Sequence, residues 1–216
     1  MNLNPHVPMD GDVLLAFATP IFARHWPDSE ALNRELQALT LEKERSSRGV
    51  DKSNIGGWHS DEDLFAWGGP AIEELRRRII EACQIITRKT CGEALKGLQA
   101  EMRLDGWANV SRDRNYNGLH NHPHCTWSGV YYVSLGERDQ SGPYNGVIEF
   151  PDPRLGVNWV SVPGQPFGTH LQIVPQAGTM LMFPSWTHHW VHPFYGQGER
   201  ISLAFNVKME FRKTEG

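Results

Sequence analysis

Hydrophobic positions along this chain follow two different periods, and the change between them falls near residue 97. Before that point the apolar residues recur at helical spacing. Leu32, Leu36 and Leu39 mark one stripe, which predicts a helix over 30–45 with Asp28 and Ser29 as capping residues at its start. Ile72, Leu75, Ile79, Cys83 and Ile86 mark a second stripe, which predicts a longer helix opened by Pro70 and running to about residue 95. Arg76, Arg77 and Arg78 lie partly off this stripe and read as a solvated helix face. Ahead of both helices, VLLAFATPIF over 13–22 predicts a strand. The stretch 46–69 between them is rich in turn-forming residues and reads as irregular.

After Gly97, aromatic and β-branched runs alternate with Gly, Pro, Asn and Asp. Strands are expected at 98–113, 127–135, 146–151, 158–162, 170–174, 178–184, 189–193 and 200–210. Helices followed by many strands imply an α+β fold. Roughly eight strands suggest a jelly roll of two antiparallel sheets, with the N-terminal helices packed on one sheet. Two helices alone cannot form a stable core, so residues 1–216 read as a single domain. Within it, 1–97 supplies a strand and two supporting helices, and 98–216 the sheet core.

The clearest alternation lies in RISLAFNV, residues 200–207. Ile201, Leu203, Phe205 and Val207 share one face; Arg200, Ser202, Ala204 and Asn206 share the other. A slip of one residue would exchange the faces, so the pattern fixes the strand's orientation. The apolar face is expected beneath the helices. The other face is small and polar and carries Arg200, whose planar fork binds a carboxylate through two parallel hydrogen bonds.

Composition narrows the function. The chain has 216 residues and a formal net charge of -4, with a pI near 6.2, which argues against a nucleic-acid surface. A mean hydropathy of -0.47 and the lack of a long apolar run argue against a membrane span. The opening MNLNPHVPMDGD has neither the basic nor the apolar region of a signal peptide. Three cysteines without a CxxC spacing make a disulfide framework unlikely, and the expected compartment is a reducing cytoplasm.

Histidine is the unusual residue. Seven of the ten histidines fall between residues 120 and 192, six of them in GLHNHPHC (118–125) and SWTHHWVHP (185–193). In an extended segment, side chains at i and i+2 point the same way, so His120 and His122 can offer two imidazoles to one point. His124 continues the alternation, but Pro123 disrupts the run. One of His188, His189 and His192 would supply a third ligand from a distant strand. Neutral imidazoles suit iron, zinc, copper or nickel. Cys125 beside the cluster also fits a structural zinc site, although thiolate sites usually carry paired cysteines.

Together these segments resemble the double-stranded β-helix of the Fe(II)/2-oxoglutarate-dependent oxygenases. The resemblance is carried by His120-Asn-His-Pro123, Ser128-Gly-Val-Tyr-Tyr132, Phe183-Pro-Ser-Trp186, His189, Gly198-Glu-Arg-Ile-Ser202 and Asn206. It implies a hydroxylase-type oxidation coupled to decarboxylation of 2-oxoglutarate, with Fe(II) as cofactor and O₂ as co-reactant. By position, His120 matches the family's first ligand and His189 the distal one. Arg200, eleven residues past His189, and Ser202 match the R-x-S pair that holds 2-oxoglutarate. Asn109, Tyr132 and Asn206 are the further expected cofactor contacts; of Tyr131 and Tyr132 only one can face the site. The substrate is not readable from the sequence and is either a small molecule or of unknown class, and a homodimer is one assembly that enzymes of this size adopt.

This sequence departs from the family at the second ligand, where His122 stands in place of a carboxylate. Asp113, Glu149 and Asp152 are the alternative carboxylates in reach along the chain. Three imidazoles also suit a cupin-like dioxygenase or isomerase that does not use 2-oxoglutarate, and a non-catalytic jelly-roll binding module would share the strands. Neither explains an arginine and serine placed after the distal histidine.

Overall fold

A computed structural model describes residues 17–139, 142–159, 163 and 168–214. Its strands and α-helices run in the order β1 (Phe22–His25), α1 (Glu30–Ser46), β2 (Asn54–Ile55), β3 (Trp58–His59), α2 (Pro70–Cys91), β4 (Leu98–Ser111), β5 (Tyr116–His120), β6 (Trp127–Arg138), β7 (Ile148–Pro151), β8 (His170–Ile173), β9 (Thr179–Pro184), β10 (His189–Val191) and β11 (Gly196–Lys213). They form a six-stranded sheet ordered β1-β9-β6-β11-β4-β3 and a five-stranded sheet ordered β2-β5-β10-β7-β8. Every strand pair is antiparallel. This is the expected jelly roll, with both helices on the outer face of the larger sheet. Among the described residues, no helix is long and apolar enough to cross a membrane.

Burial explains the order of the layers. The larger sheet is covered on both faces, so its central strands read as continuous buried runs, as in Trp127–Val133. Tyr131 and Val133 turn toward the helices, where Ile72, Leu75, Ile79, Cys83 and Ile86 pack against Ile201, Leu203, Phe205 and Val207. Val130 and Tyr132 turn the other way and meet Ile148, Phe150, Leu181 and Phe183 between the sheets. Both stripes read from the sequence therefore lie in one core, and the alternation of 200–207 has the expected polarity.

Several local expectations change. The strand expected over 13–22 lies partly outside the described residues, and the strand that forms is Phe22–His25, paired with Thr179–Met182. The strand expected at 158–162 is replaced over Val157–Trp159 by a 3-10 turn; 160–162 lie outside the described residues. α2 stops at Cys91, where Gly92 takes φ +50°, and a separate 3-10 turn carries the chain to Leu95. The irregular stretch 46–69 contains β2 and β3, and β5 forms where no strand was expected.

Ser29 precedes α1 as expected, but its hydroxyl does not cap the helix. It donates instead to the Trp26 carbonyl at 2.7 Å and accepts from Arg78 Nη1 at 2.7 Å. Arg78 departs from the solvated face expected for the arginine run: it is buried, and it also bonds Glu74 Oε1 at 2.8 Å. Its guanidinium sits between the rings of Trp26 and Tyr131. The charged head thus ties both helices to the sheet while its stem covers apolar surface.

Hydrogen bonds from Arg77, joined by Arg78, hold the Glu74 carboxyl down at about 2, against the opposing effect of burial. A depressed carboxylate contributes stability above its unfolded value of about 4.5, and that contribution fades as pH falls toward 2. Thermal melts between pH 5 and pH 3 are therefore expected to fall more steeply for the wild type than for Glu74→Gln. Parallel curves would show that the pair contributes nothing to acid stability.

Candidate metal centre and anion pocket

Strand pairing brings the two histidine clusters together. In the β10–β5 ladder, His189 is the direct partner of His120. Residues opposite each other in an antiparallel pair point to the same face, and the two rings lie 4.3 Å apart between centroids. His122 follows β5 outside the ladder. Its backbone N–H donates to the Ser185 carbonyl at 2.9 Å, which pins the residue to the turn preceding β10. The sequence argument assigned His122 to the site through strand alternation; the position is right, but a cross-turn hydrogen bond sets it.

The ligating nitrogens of His120, His122 and His189 all lie within 4.8 Å of one another. His120 Nδ1 lies 2.7 Å from the Gly118 carbonyl and His189 Nδ1 lies 3.1 Å from the Thr187 carbonyl. A carbonyl only accepts, so both Nδ1 atoms carry the proton and both Nε2 atoms keep a lone pair for a metal. Burial, then the neighbouring imidazoles, pushes His189 down to about 3 and His122 down to about 4; burial also lowers His120. All three rings are therefore neutral near pH 7, the state a metal requires.

The other candidate ligands point elsewhere. His124 and His188 are exposed. His192 meets Glu149 Oε2 at 3.0 Å, and the same oxygen accepts from Gln172 Nε2 at 2.6 Å. Asp152 is held by Arg154, and Asp113 accepts from the Gly196 N–H and lies beside Arg114. Among the described residues, no carboxylate joins the three histidines. Cys125 stays outside the group as well.

On the larger sheet, Tyr132 and Asn109 flank Ser202 as its direct partners on β6 and β4, and His59 on β3 is the next partner along the row. Tyr132, Ser202, Asn109 and Arg200 line a pocket shared with the three histidines, lined also by Trp107, Asn117 and Ser53; His59 is not among its lining residues. Tyr131 points the opposite way, its hydroxyl donating to Asn33 Oδ1 at 2.8 Å. Asn206 lies farther along β11, where its Oδ1 accepts from Ser128 Oγ at 2.7 Å; it is not among the residues lining the pocket.

Arg200 is 2% exposed, and its Nε has no hydrogen-bond partner. One Nη makes a long 3.4 Å contact with the Gly146 carbonyl, and the guanidinium lies 5.4 Å from the Tyr132 ring centre. Gly146 permits that approach: with φ +66°, a Cβ there would sit 3.3 Å from Arg200 Nε. Among the described residues no carboxylate pairs with Arg200. The Tyr132 hydroxyl and Asn109 Oδ1 are likewise buried without partners, and burial pushes the Tyr132 phenol up to about 12. A buried guanidinium without a counter-ion costs several kcal/mol. Of these orphaned atoms, Arg200 Nε and the Tyr132 hydroxyl are donors and fit an anionic ligand, whereas Asn109 Oδ1 only accepts; 2-oxoglutarate, with a carboxylate for Arg200 and a keto acid for a metal, suits both halves of the pocket.

Trp107 and His59 were not singled out by sequence reasoning. Trp107 lies two residues before Asn109, so strand parity already placed it on the same face. No local pattern marked His59, because β3 is only two residues long.

Residues 105–206 match the family model described as "Putative 2OG-Fe(II) oxygenase". That segment contains all three histidines, Arg200 and Ser202. No curated protein matches the sequence. Among solved structures, a prolyl-4-hydroxylase from Pseudomonas putida superposes with a TM-score of 0.56 at 17% identity, covering 90% of this chain and 93% of that one. The viral collagen prolyl hydroxylase of Paramecium bursaria Chlorella virus-1, solved as a 2-oxoglutarate complex, gives a TM-score of 0.52 at 15% identity, over 87% and 94% of the chains. HygX from Streptomyces hygroscopicus, solved with nickel and 2-oxoglutarate bound, gives 0.55 at 14% identity, over 88% and 83%. At these identities the likeness is one of fold.

The site assignment has a direct check in metal uptake. His122→Ala and His189→Ala are expected to abolish stoichiometric binding of Co(II), a spectroscopic substitute for Fe(II). His124→Ala and His192→Ala should bind as the wild type does. Full binding by His189→Ala would move the distal ligand to another histidine.

Proposed function

We propose that this chain, which matches the 2OG-Fe(II) oxygenase family model over residues 105–206, is a member of that family and a non-haem iron oxygenase that consumes 2-oxoglutarate. The observation that carries the reading is the buried, unpaired Arg200 in the same pocket as three converging imidazoles. Bound there, Fe(II) and 2-oxoglutarate supply an oxidation by O₂ that releases succinate and CO₂. The substrate would be a small molecule or a peptide segment.

The protein's own part is binding, orientation and exclusion of water. His120, His122 and His189 would hold the metal through their neutral imidazoles. Arg200 pairs with the distal carboxylate of 2-oxoglutarate, and the Ser202 and Tyr132 hydroxyls are placed to donate to the same group. Asn109 lies on that wall beside Ser202. The Tyr132 phenol, with its raised pKa, remains a protonated donor across the physiological range. Asn206 lies farther along the same face of β11, outside the pocket lining, and links β11 to β6 by accepting from Ser128.

A cupin-like three-histidine enzyme would share the ligand set. It would give no use to a buried guanidinium facing the metal site, and Arg200 therefore favours the 2-oxoglutarate reading. The three cysteines are free thiols; a reducing cytoplasm is part of the proposal.

Anaerobic addition of Fe(II) and then 2-oxoglutarate tests the function. A visible metal-to-ligand charge-transfer band is expected for the wild type. In Arg200→Ala the 2-oxoglutarate affinity should fall about 100-fold, as for truncation of one partner of a buried charge pair, while metal affinity stays within about threefold because Arg200 is not a ligand. Absence of the band in the wild type would point to the cupin-like reading. Parallel loss of metal and cosubstrate in Arg200→Ala would make that residue structural.

A further inference from the structure

The three metal-binding histidines are not held alike. His120 and His189 are each oriented by a hydrogen bond from Nδ1 to a backbone carbonyl. The His122 ring makes no hydrogen bond among the described residues. It lies instead against the indole of Trp107, with ring centres 5.4 Å apart and planes tilted by 32°. Trp107 is 7% exposed and is backed by His59, stacked nearly parallel at 5.5 Å and 12°. His59 is itself locked, its Nδ1 donating to the Ser60 carbonyl at 2.6 Å. The rings thus form a column, His59–Trp107–His122, that begins at a fixed backbone carbonyl and ends at the metal site.

We propose that Trp107, braced by His59, is the positioning residue for His122 and takes the place of the hydrogen bond that the other two ligands have. This inference rests on the three-imidazole metal site proposed above. Metal ligands usually owe their orientation to an outer partner, commonly a carboxylate or carbonyl accepting from the second ring nitrogen. His122 has none, and it occupies the position where a carboxylate ligand is expected. An indole face is suited to the task for a second reason. Coordination to a divalent cation draws electron density from the imidazole, and a ring carrying positive charge is attracted to the face of Trp within about 6 Å. The stack therefore strengthens when metal binds, in contrast to simple core packing.

The strand register makes this geometry available. Trp107 and Asn109 lie on the same face of β4, and the His59–Asn109 pairing brings β3 alongside, so His59 arrives next to Trp107. Gly106, beside Trp107, leaves room for Leu64 and Phe65: a Cβ there would come within 2.8 Å of the Phe65 ring and 3.2 Å of a Leu64 methyl.

Co(II) titration with the d–d spectrum as readout tests the proposal independently of turnover. Trp107→Leu is expected to raise the Co(II) Kd about 10-fold, the scale of losing an outer partner, and to shift the d–d band. Trp107→Phe keeps an aromatic face and should lose no more than about threefold. His59→Ala should show an intermediate loss. The double variant Trp107→Leu/His59→Ala should be no weaker than Trp107→Leu alone, because His59 acts through Trp107. Additive losses would make His59 an independent contributor and overturn the column. Wild-type affinity and an unshifted band in both Trp107 variants would make the indole mere packing, and so would a loss that follows the melting temperature of the metal-free protein. A wild-type protein that takes up no Co(II) would remove the metal site and this clamp together. Co(II) binding without a response to 2-oxoglutarate would leave the clamp standing and remove only the cosubstrate.

Discussion

The site depends on the register of β10 against β5. Pairing His189 with His120 sets two imidazoles on one face at ladder distance. A slip of one residue would put His188 or Trp190 there and turn His189 outward. The ladder is short, and the register shifts again before Val191, so the strands alone specify it weakly. Neighbouring contacts supply the rest. His189 lies against Phe183 and Phe150, within the apolar cluster between the sheets, and that cluster fixes which face of β10 is buried. The core between the sheets and the metal centre are thus set by a common constraint.

Charge shapes the opposite wall. Where the family carries a carboxylate ligand, this chain carries a third neutral imidazole, so a divalent ion here would retain one more unit of positive charge. Arg200 adds another, and no acidic side chain among the described residues enters the group. At low dielectric such a pocket is unfavourable without an anion. A dicarboxylate offsets most of that charge, whereas a neutral ligand would offset none. The change at residue 122 therefore makes an anionic cosubstrate more necessary to the pocket, even though imidazole ligands also occur in sites that do without one.

The features legible in the sequence were those with a local period. The two helical stripes, the alternation of 200–207 that puts Arg200 and Ser202 on one face, and the spacing of His120 and His122 each reflect a repeat that one segment carries by itself, whereas the choice of His189 over His188 and His192 came from the family resemblance. What was not legible depends on partners far away in the chain. β2 and β3 are two residues each and β5 contains Asn and Gly, so they become strands only because β2 pairs with β5, β3 with β4 and β5 with β10. Arg78 shows the same limit. Its position suggested solvent, yet Ser29, Glu74 and Tyr131 converge to satisfy it. Trp107 was within reach of parity from Asn109, but its contact with His122 needed the turn after β5 to be placed first.

That turn couples the ligands mechanically. His122 N–H donates to the Ser185 carbonyl, Ser185 Oγ donates to the Cys125 carbonyl at 2.5 Å, and Ser185 N–H reaches the Thr126 carbonyl. The segment carrying His122 is therefore stitched on both sides to the turn that leads into His189. A displacement of one turn carries the other with it, and the pairing of His189 with His120 ties both to β5. The ring of His122 keeps one rotational freedom that these backbone bonds do not remove, and the face of Trp107 restricts it.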